Sequence, residues 1–147
     1  MITKSEVFSY EEFVKANAEK RVGELEYIHG IFKLANLPLD IVFALASLFS
    51  PKLDIEDGRL FLSERFDRDK YFQYLSEGKS KRESQLWLNL IEISGIFEDM
   101  DFDLAIQLGN LISDMWNAKI KCNGMENFGH ARVIIEEEYG EVFVTID

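Results

Sequence analysis

Apolar residues recur at helical spacing through much of this 147-residue chain. Ser9 and Glu12 form a capping box, and apolar positions three and four residues apart then continue to about Leu34, which predicts a first amphipathic helix. The segment Leu39–Phe49 is apolar on nearly all sides. Because a helix that is apolar all round is usually buried, we expect this second helix to lie at the centre of the core.

Three further helices are predicted between residues 67 and 121, and the first two lie in the middle of the chain. Asp67 can cap a short helix over Arg68–Leu75. Ser80 begins a second capping box, which predicts a helix around Trp87 that ends at Gly95.

The last predicted helix runs from about Asp101 to Lys121 and is built around Trp116. The expected core face of the helix that begins at Ser80 consists of Leu86, Trp87, Leu88, Leu90, Ile91 and Ile93. The expected core stripe of the last helix consists of Leu104, Ala105, Leu108, Leu111, Ile112, Met115 and Trp116.

Two hairpins are predicted from turn signals and strand-forming residues. Leu53–Ile55 and Arg59–Leu62 flank Asp57-Gly58, a pair that accepts the positive φ angles of a two-residue hairpin turn. Ala131–Glu136 and Glu141–Ile146 have the composition of two further strands. The pattern therefore predicts an α+β fold, with a helical body of about five helices and a small antiparallel sheet made from two β-hairpins.

Composition places the chain among globular proteins. Hydrophobic residues make up 47% and aromatic residues 13% of the sequence, which excludes a disordered chain. A chain of this length can bury a continuous core, and we expect a single domain over residues 1–147.

The net charge limits which binding partners are favourable, and the cysteine content indicates the cellular compartment. Sixteen basic and 27 acidic residues give a net charge of −11, which repels nucleic-acid phosphates and anionic lipid and favours cationic partners. The one cysteine, Cys122, cannot form an internal disulfide, and Met1–Tyr10 does not resemble a signal peptide. The longest apolar run, Ile41–Phe49, is shorter than the roughly 20 residues that a membrane-spanning helix needs. These features predict a cytoplasmic protein.

Two patterns resemble metal sites without completing one. Glu26 and His29 have the Glu-x-x-His spacing of di-iron bundles, but the sequence has no second such motif. Asp99-Met-Asp-Phe-Asp103 resembles the start of a calcium loop, but Leu104 and Asn110 stand where an EF-hand needs Gly and Glu. We therefore expect no metal and no cofactor.

Signals for catalysis are also weak. The sequence contains no Gly-x-Ser-x-Gly elbow, P-loop or dinucleotide-binding fingerprint. Lys119 and Lys121 precede Cys122, and neighbouring positive charge is typical of reactive thiols, but a structural thiol is the commoner explanation. The sequence thus favours a protein that is not an enzyme.

The distribution of charge is the clearest functional signal. Residues 65–82 carry a net charge of +3, which leaves −14 on the rest of the chain. Two acidic clusters interleave carboxylates with Met100, Phe102 and Tyr139, an arrangement suited to binding Lys and Arg side chains. The candidate partner contacts in these clusters are Glu98, Asp99, Asp101, Asp103, Glu136, Glu137, Glu138 and Glu141.

As a small, acidic α+β chain without a signal sequence or catalytic motif, the protein resembles the bacterial immunity proteins that neutralise toxins. The resemblance is carried by size, net charge and the acidic clusters at Glu98–Asp103 and Glu136–Glu141. It implies stoichiometric binding to a cognate toxin, often a basic nuclease, through complementary charge. It assigns no role to an individual residue.

Two alternatives follow from the same sequence. The first is a small-ligand or metal-dependent enzyme domain, with a pocket lined by Glu26, His29 and Trp87 or Trp116. The second is a homodimeric interaction module, in which a second copy of the chain covers the apolar surface.

Overall fold

The computed structural model describes residues 9–97 and 100–147. The chain forms two compact units, one that ends at Ala44 and one that extends from Leu45 to Asp147. Residues within each unit contact one another more densely than they contact the other unit. The expectation of a single domain stays a prediction. The α+β class is confirmed, but the described residues form six helices and two separate sheets.

The first unit contains helices α1 (Tyr10–Ala16) and α2 (Glu24–Ala35). The predicted capping box at Ser9 is confirmed, since the Ser9 hydroxyl accepts from the Glu12 amide at 3.3 Å and the Glu12 carboxylate accepts from the Ser9 amide at 2.7 Å. The Tyr27 ring of α2 packs 5.4 Å from the Tyr10 ring of α1. The two short helices therefore pack through aromatic side chains.

The prediction of one continuous helix from Ser9 to Leu34 is wrong. The helix ends at Ala16, and the Glu26 carboxylate accepts a hydrogen bond of 2.7 Å from the Gly23 amide, which begins α2 at the next residue. Apolar spacing continues across the break, so periodicity alone could not reveal it. Local hydrogen bonds at the helix end decided between one helix and two.

Helix α3 (Asp40–Phe49) crosses the boundary between the two units, and the expectation that it forms the central core is also wrong. It has no buried residue, and Phe43 is 66% exposed. Its second half belongs to the second unit, where Leu48 and Phe49 pack against the core. An apolar surface indicates that burial would be favourable, but the neighbouring elements decide whether it occurs.

The second unit begins with the predicted hairpin, β1 (Leu53–Glu56) and β2 (Arg59–Leu62). Asp57 and Gly58 adopt φ angles of 51° and 72°, which confirms the two-residue turn with positive φ at both positions. Because side chains alternate along a strand, β2 contributes side chains to two hydrophobic clusters, one on each of its faces. Leu60 and Leu62 enter the main core, whereas Phe61 joins Tyr71 and Leu88 in a second cluster.

Helices α4 (Arg68–Ser76) and α5 (Lys81–Asn89) begin at the predicted caps, Asp67 and Ser80. The expectation that the second of these helices continues to Gly95 is wrong. Residues 91–92 instead form a short strand, because their backbone pairs with the last strand of the chain. Tertiary pairing thus overrides the helical spacing of these apolar residues.

The second sheet has the order β3-β5-β4, with β3 at Ile91–Glu92, β4 at Ala131–Glu136 and β5 at Glu141–Ile146. The bounds predicted for β4 and β5 are confirmed. The expectation that both hairpins belong to one sheet is wrong, since β1 and β2 form a sheet of their own.

Helix α6 (Phe102–Cys122) packs against one face of the second sheet. A Cβ at Gly109 would lie 3.1 Å from Val142 Cγ1, so the absence of a side chain lets the helix approach the strands closely. The predicted stripe is only partly correct, since Ala105, Ile112 and Trp116 are buried but three other members are exposed, namely Leu104, Leu111 and Met115. No helix in the described residues is long and apolar enough to cross a membrane.

Polar side chains of α5 join the two sheets of the second unit. The Asn89 amide donates to Leu60 O at 3.0 Å and to Ile146 O at 3.1 Å, and its oxygen accepts from the Leu62 amide at 2.9 Å. Gln85 donates to Leu60 O and to Phe128 O. Both side chains are fully buried, so α5 is fixed by hydrogen bonds as well as by apolar contacts.

Candidate functional site: an acid-rimmed aromatic groove

The two faces of the second sheet have different surroundings. Alternation along β5 directs Val142 and Val144 toward α6 and directs Phe143 and Thr145 to the opposite face. On that opposite face the Thr145 hydroxyl donates to Leu86 O of α5 at 2.7 Å. Helix α5 therefore lies beside the sheet on the face away from α6.

A groove of about 450 Å³ lies between α5 and this face of the sheet. Its lining comes from α5 and from the β4–β5 hairpin, and consists of Leu86, Trp87, Leu90, Ile134, Glu136, Tyr139, Glu141 and Phe143. This volume is within the range of ligand sites in proteins. We refer to this surface as the groove.

Two aromatic side chains of the groove are largely exposed. Trp87 is 52% exposed and Tyr139 is 69% exposed, whereas the other tryptophan, Trp116, is fully buried. The prediction that Trp87 packs in the core is therefore wrong. Capping at Ser80 and burial of Gln85 and Leu88 set the orientation of α5, and that orientation directs Trp87 outward.

Two carboxylates stand directly opposite each other at one end of the groove. Glu136 on β4 pairs in register with Glu141 on β5, and Tyr139 lies in the turn between them. Like charges at directly opposed positions of a sheet are destabilising. No ion pair within the described residues involves Glu136 or Glu141.

The one basic residue of β4, Arg132, falls on the same face as Glu136 and is already paired. Arg132 donates to the Asp147 carboxylate at 2.9 Å and 3.1 Å, and Arg82 donates to it at 3.2 Å. Burial opposes the charge of Asp147, but the two arginines outweigh it and hold the pKa of this carboxyl below its usual range. Arg132 therefore does not neutralise Glu136 at the other end of β4 or Glu141 opposite it on β5.

A second polar cluster links the β1–β2 turn to α4 and α5. The Tyr71 hydroxyl donates to Asp57 at 2.9 Å, and Lys81 donates to the same carboxylate at 2.8 Å. Burial, and then the hydrogen bond to Asp57, raise the pKa of Tyr71 to about 12. The hydrogen bonds from Lys81 and Tyr71 lower the pKa of Asp57. All three groups have partners, so this cluster is a structural contact rather than a site.

The predicted partner contacts fall into two groups in the structure. Glu136 and Glu141 line the groove, and Glu137 and Glu138 are exposed in the adjoining turn.

In the other cluster, Glu98 and Asp99 lie outside the described residues. Asp101 caps α6, where it accepts from the Asp103 amide at 2.9 Å, and Asp103 is exposed in the first turn of that helix. Capping gives Asp101 a structural role whether or not it contacts a partner.

The described residues that were considered for metal binding or catalysis form no metal cluster. Among residues 9–97 and 100–147, no three His, Cys, Asp or Glu side chains are placed to hold a metal ion. Glu26 is engaged at the start of α2, and Cys122 is exposed at the end of α6. Of the pocket residues considered for a small ligand, Trp87 lines the groove and Trp116 is buried.

The apolar floor of the groove was missed by sequence reasoning. The apolar pattern predicts Leu86 and Leu90 in the core and places Ile134 and Phe143 in strands, without indicating that these four side chains line one surface. The available signal was the alternation of β5, in which Phe143 falls on the face opposite Val142 and Val144. Locating α5 beside that face requires the tertiary structure.

No protein-family model matches this chain, and searches of curated proteins and of solved structures also return no match.

Proposed function

We propose that this protein is an inhibitory binding protein of the immunity type, which neutralises a cognate toxin by forming a stoichiometric complex with it. The groove is the observation that carries the proposal. Exposed aromatic side chains line it beside two carboxylates that no ion pair within the described residues neutralises, on a chain of net charge −11. A basic protein, such as a nuclease toxin, complements both the charge and the apolar lining. The contribution of the chain is binding rather than catalysis.

The acidic residues outside the groove extend the proposed contact surface. Glu137 and Glu138 adjoin the groove, and Asp103 offers an exposed carboxylate elsewhere in the second unit. Rows of carboxylates on a protein surface can take the place of nucleic-acid phosphates at a nuclease. Such an arrangement would accelerate association by electrostatic steering.

The volume of the groove also favours a second candidate, a domain that binds a small ligand. A third candidate is a homodimer, since α6 exposes Leu104, Leu111 and Met115. Sedimentation at several protein concentrations separates the homodimer from the other two. Mass spectrometry of the protein isolated under non-denaturing conditions separates a bound small ligand from a protein partner.

The test is capture of the partner from native cytosol at low salt, about 50 mM, followed by a functional assay. We expect a basic protein to be retained, and we expect its toxic activity to be abolished at a one-to-one ratio. The association rate should fall by at least about tenfold when the salt concentration is raised to about 500 mM. A retained protein whose activity is unaffected at equimolar ratio contradicts the immunity role.

A matched pair of variants locates the contact. The double reversal Glu136→Lys with Glu141→Lys should slow association more than the reversal Glu64→Lys with Glu126→Lys. Both variants change the net charge equally, and the control residues are exposed and do not line the groove. Equal effects of the two variants would show that overall charge, and not the groove, controls association. A rate that does not depend on salt would reject charge steering but not the inhibitory role.

A further inference from the structure

The groove combines two features that are individually unfavourable in an uncomplexed protein. Glu136 and Glu141 are opposed across two paired strands, and no ion pair within the described residues neutralises either of them. Beside them, Trp87 and Tyr139 are 52% and 69% exposed. A single ligand that carries a positive charge and an apolar surface would neutralise the two glutamates and cover the two aromatic side chains.

The chemistry of the lining narrows the choice of occupant. An anion would be repelled by the two glutamates. A purely apolar occupant would take the carboxylates out of water without giving them a hydrogen-bond donor, which is costly. A long cationic side chain can place its aliphatic part along Ile134 and Phe143 and its charged head at the carboxylates.

Arginine fits this arrangement better than lysine. Its planar guanidinium can donate to two carboxylates at once, and it stacks favourably on the faces of aromatic rings such as those of Trp87 and Tyr139. Lysine provides a compact charge without this planar geometry. The volume of about 450 Å³ leaves room for an apolar neighbour of the arginine against Leu86 and Leu90.

We infer that the groove binds an arginine side chain of a protein partner, presented by a segment with an apolar residue beside the arginine. This inference rests on the proposed function, since it names the chemistry by which the toxin or other protein partner is recognised. Glu136 and Glu141 receive the guanidinium, and Trp87 covers it. Glu137 and Glu138 do not line the groove, so they add to the surrounding negative field but do not contact the guanidinium.

The test is a titration of the intact protein with blocked tripeptides, followed by NMR of the tryptophan indole N–H groups. The probes are Leu-Arg-Leu, Leu-Lys-Leu and the neutral analogue Leu-citrulline-Leu. Trp116 serves as an internal reference, because it is buried and its indole donates to Leu48 O at 2.8 Å. We expect the arginine peptide to shift the Trp87 signal, the lysine peptide to bind more weakly, and the citrulline peptide to bind at least about tenfold more weakly.

Variants test the assignment of the carboxylates. Glu136→Gln with Glu141→Gln should weaken binding of the arginine peptide by at least about tenfold, whereas Glu137→Gln with Glu138→Gln should change it by less than about threefold. Both variants remove the same charge. Two further variants remove the Trp87 indole, so their binding is measured by isothermal titration calorimetry instead of NMR. Trp87→Phe should retain most of the binding of the arginine peptide, and Trp87→Ala should lose it. Urea unfolding of each variant verifies that the fold is retained.

Several outcomes would overturn the inference. These are no shift of the Trp87 signal up to about 10 mM arginine peptide, equal binding of the citrulline peptide, or equal loss in the two glutamine variants. Binding of spermidine as tightly as the arginine peptide would also overturn it, since charge without a peptide would then suffice.

The inference and the proposed function can fail separately. If a captured toxin is inhibited but binds the Glu136→Gln, Glu141→Gln variant as tightly as the unchanged protein, the inference fails and the immunity role stands. If the arginine peptide binds as described but no captured protein is inhibited, the groove assignment stands and the immunity role fails.

Discussion

Asn89 shows how one buried polar side chain can hold several elements together. Its amide group makes hydrogen bonds of 2.9 to 3.1 Å to Leu62, Leu60 and Ile146, and thereby links α5 to both sheets. A buried group of this kind stabilises a fold when all its hydrogen bonds are made, and it is costly when one partner is removed. The orientation of α5, and so the position of Trp87, depends on it.

At the residue scale we predict that Asn89→Ala lowers the free energy of unfolding by about 3 kcal/mol, because it leaves the buried Leu62 amide and Ile146 carbonyl without their partner. Urea unfolding followed by circular dichroism measures this change. Asn110→Ala is the control, since Asn110 is exposed on α6 and its loss should change stability by less than about 0.5 kcal/mol. A loss below about 1 kcal/mol for Asn89→Ala would contradict the role given to its hydrogen bonds.

At the element scale, the β4–β5 hairpin places Glu136 and Glu141 directly opposite each other. A hairpin selected only for stability would pair one of them with a lysine, since opposite charges across strands are favourable. Retaining two carboxylates there is consistent with a binding surface that sacrifices some stability.

We therefore predict that Glu141→Lys raises the free energy of unfolding by about 0.5 kcal/mol while it weakens binding of the cationic partner. The first effect is measured by urea unfolding and the second by the peptide titration. Glu137→Lys changes the net charge equally but lies in the turn, so it should stabilise less. Equal stabilisation by both substitutions would assign the effect to net charge rather than to the opposed pair.

The elements themselves were predicted unevenly. The Asp57-Gly58 turn and the caps at Ser9, Asp67 and Ser80 were correct because each depends on bonds within a few residues. The end of α5 was wrong because residues 91–92 pair with a strand about 50 residues later in the chain. A local pattern contains no information about that partner.

At the scale of the whole molecule, the net charge of −11 acts on every carboxylate. The ion pairs that the structure describes are mostly at exposed positions, where each is worth little. Repulsion among the acidic residues should therefore outweigh them at low ionic strength.

From this balance we predict that raising sodium chloride from about 10 mM to about 150 mM increases the thermal unfolding midpoint by a few degrees, because the screening length falls from about 30 Å to about 8 Å. Differential scanning calorimetry at pH 7 measures the midpoint. Potassium chloride should give the same increase, which separates screening from binding of a particular cation. A midpoint that is unchanged or lower would mean that the attractive ion pairs dominate.

The sequence by itself determined the fold class, the helix caps at Ser9, Asp67 and Ser80, both hairpins and the acidic character of the protein. It also identified Glu136, Glu141 and Trp87 as residues of interest, but it assigned Trp87 to the core. Each correct inference depends on interactions between residues close in sequence or on the sum of charges, neither of which requires knowledge of distant neighbours.

Only the tertiary structure decided which apolar surfaces are covered. It left most of α3 exposed and separated the two hairpins into different sheets. It also placed α5 beside the β4–β5 face, so that Trp87 lines the same groove as the two glutamates. Burial of a side chain depends on elements that approach from elsewhere in the chain, and hydrophobicity drives burial without specifying the partner. The groove therefore forms only when α5 and the β4–β5 hairpin come together in the folded chain, and neither segment contains it alone.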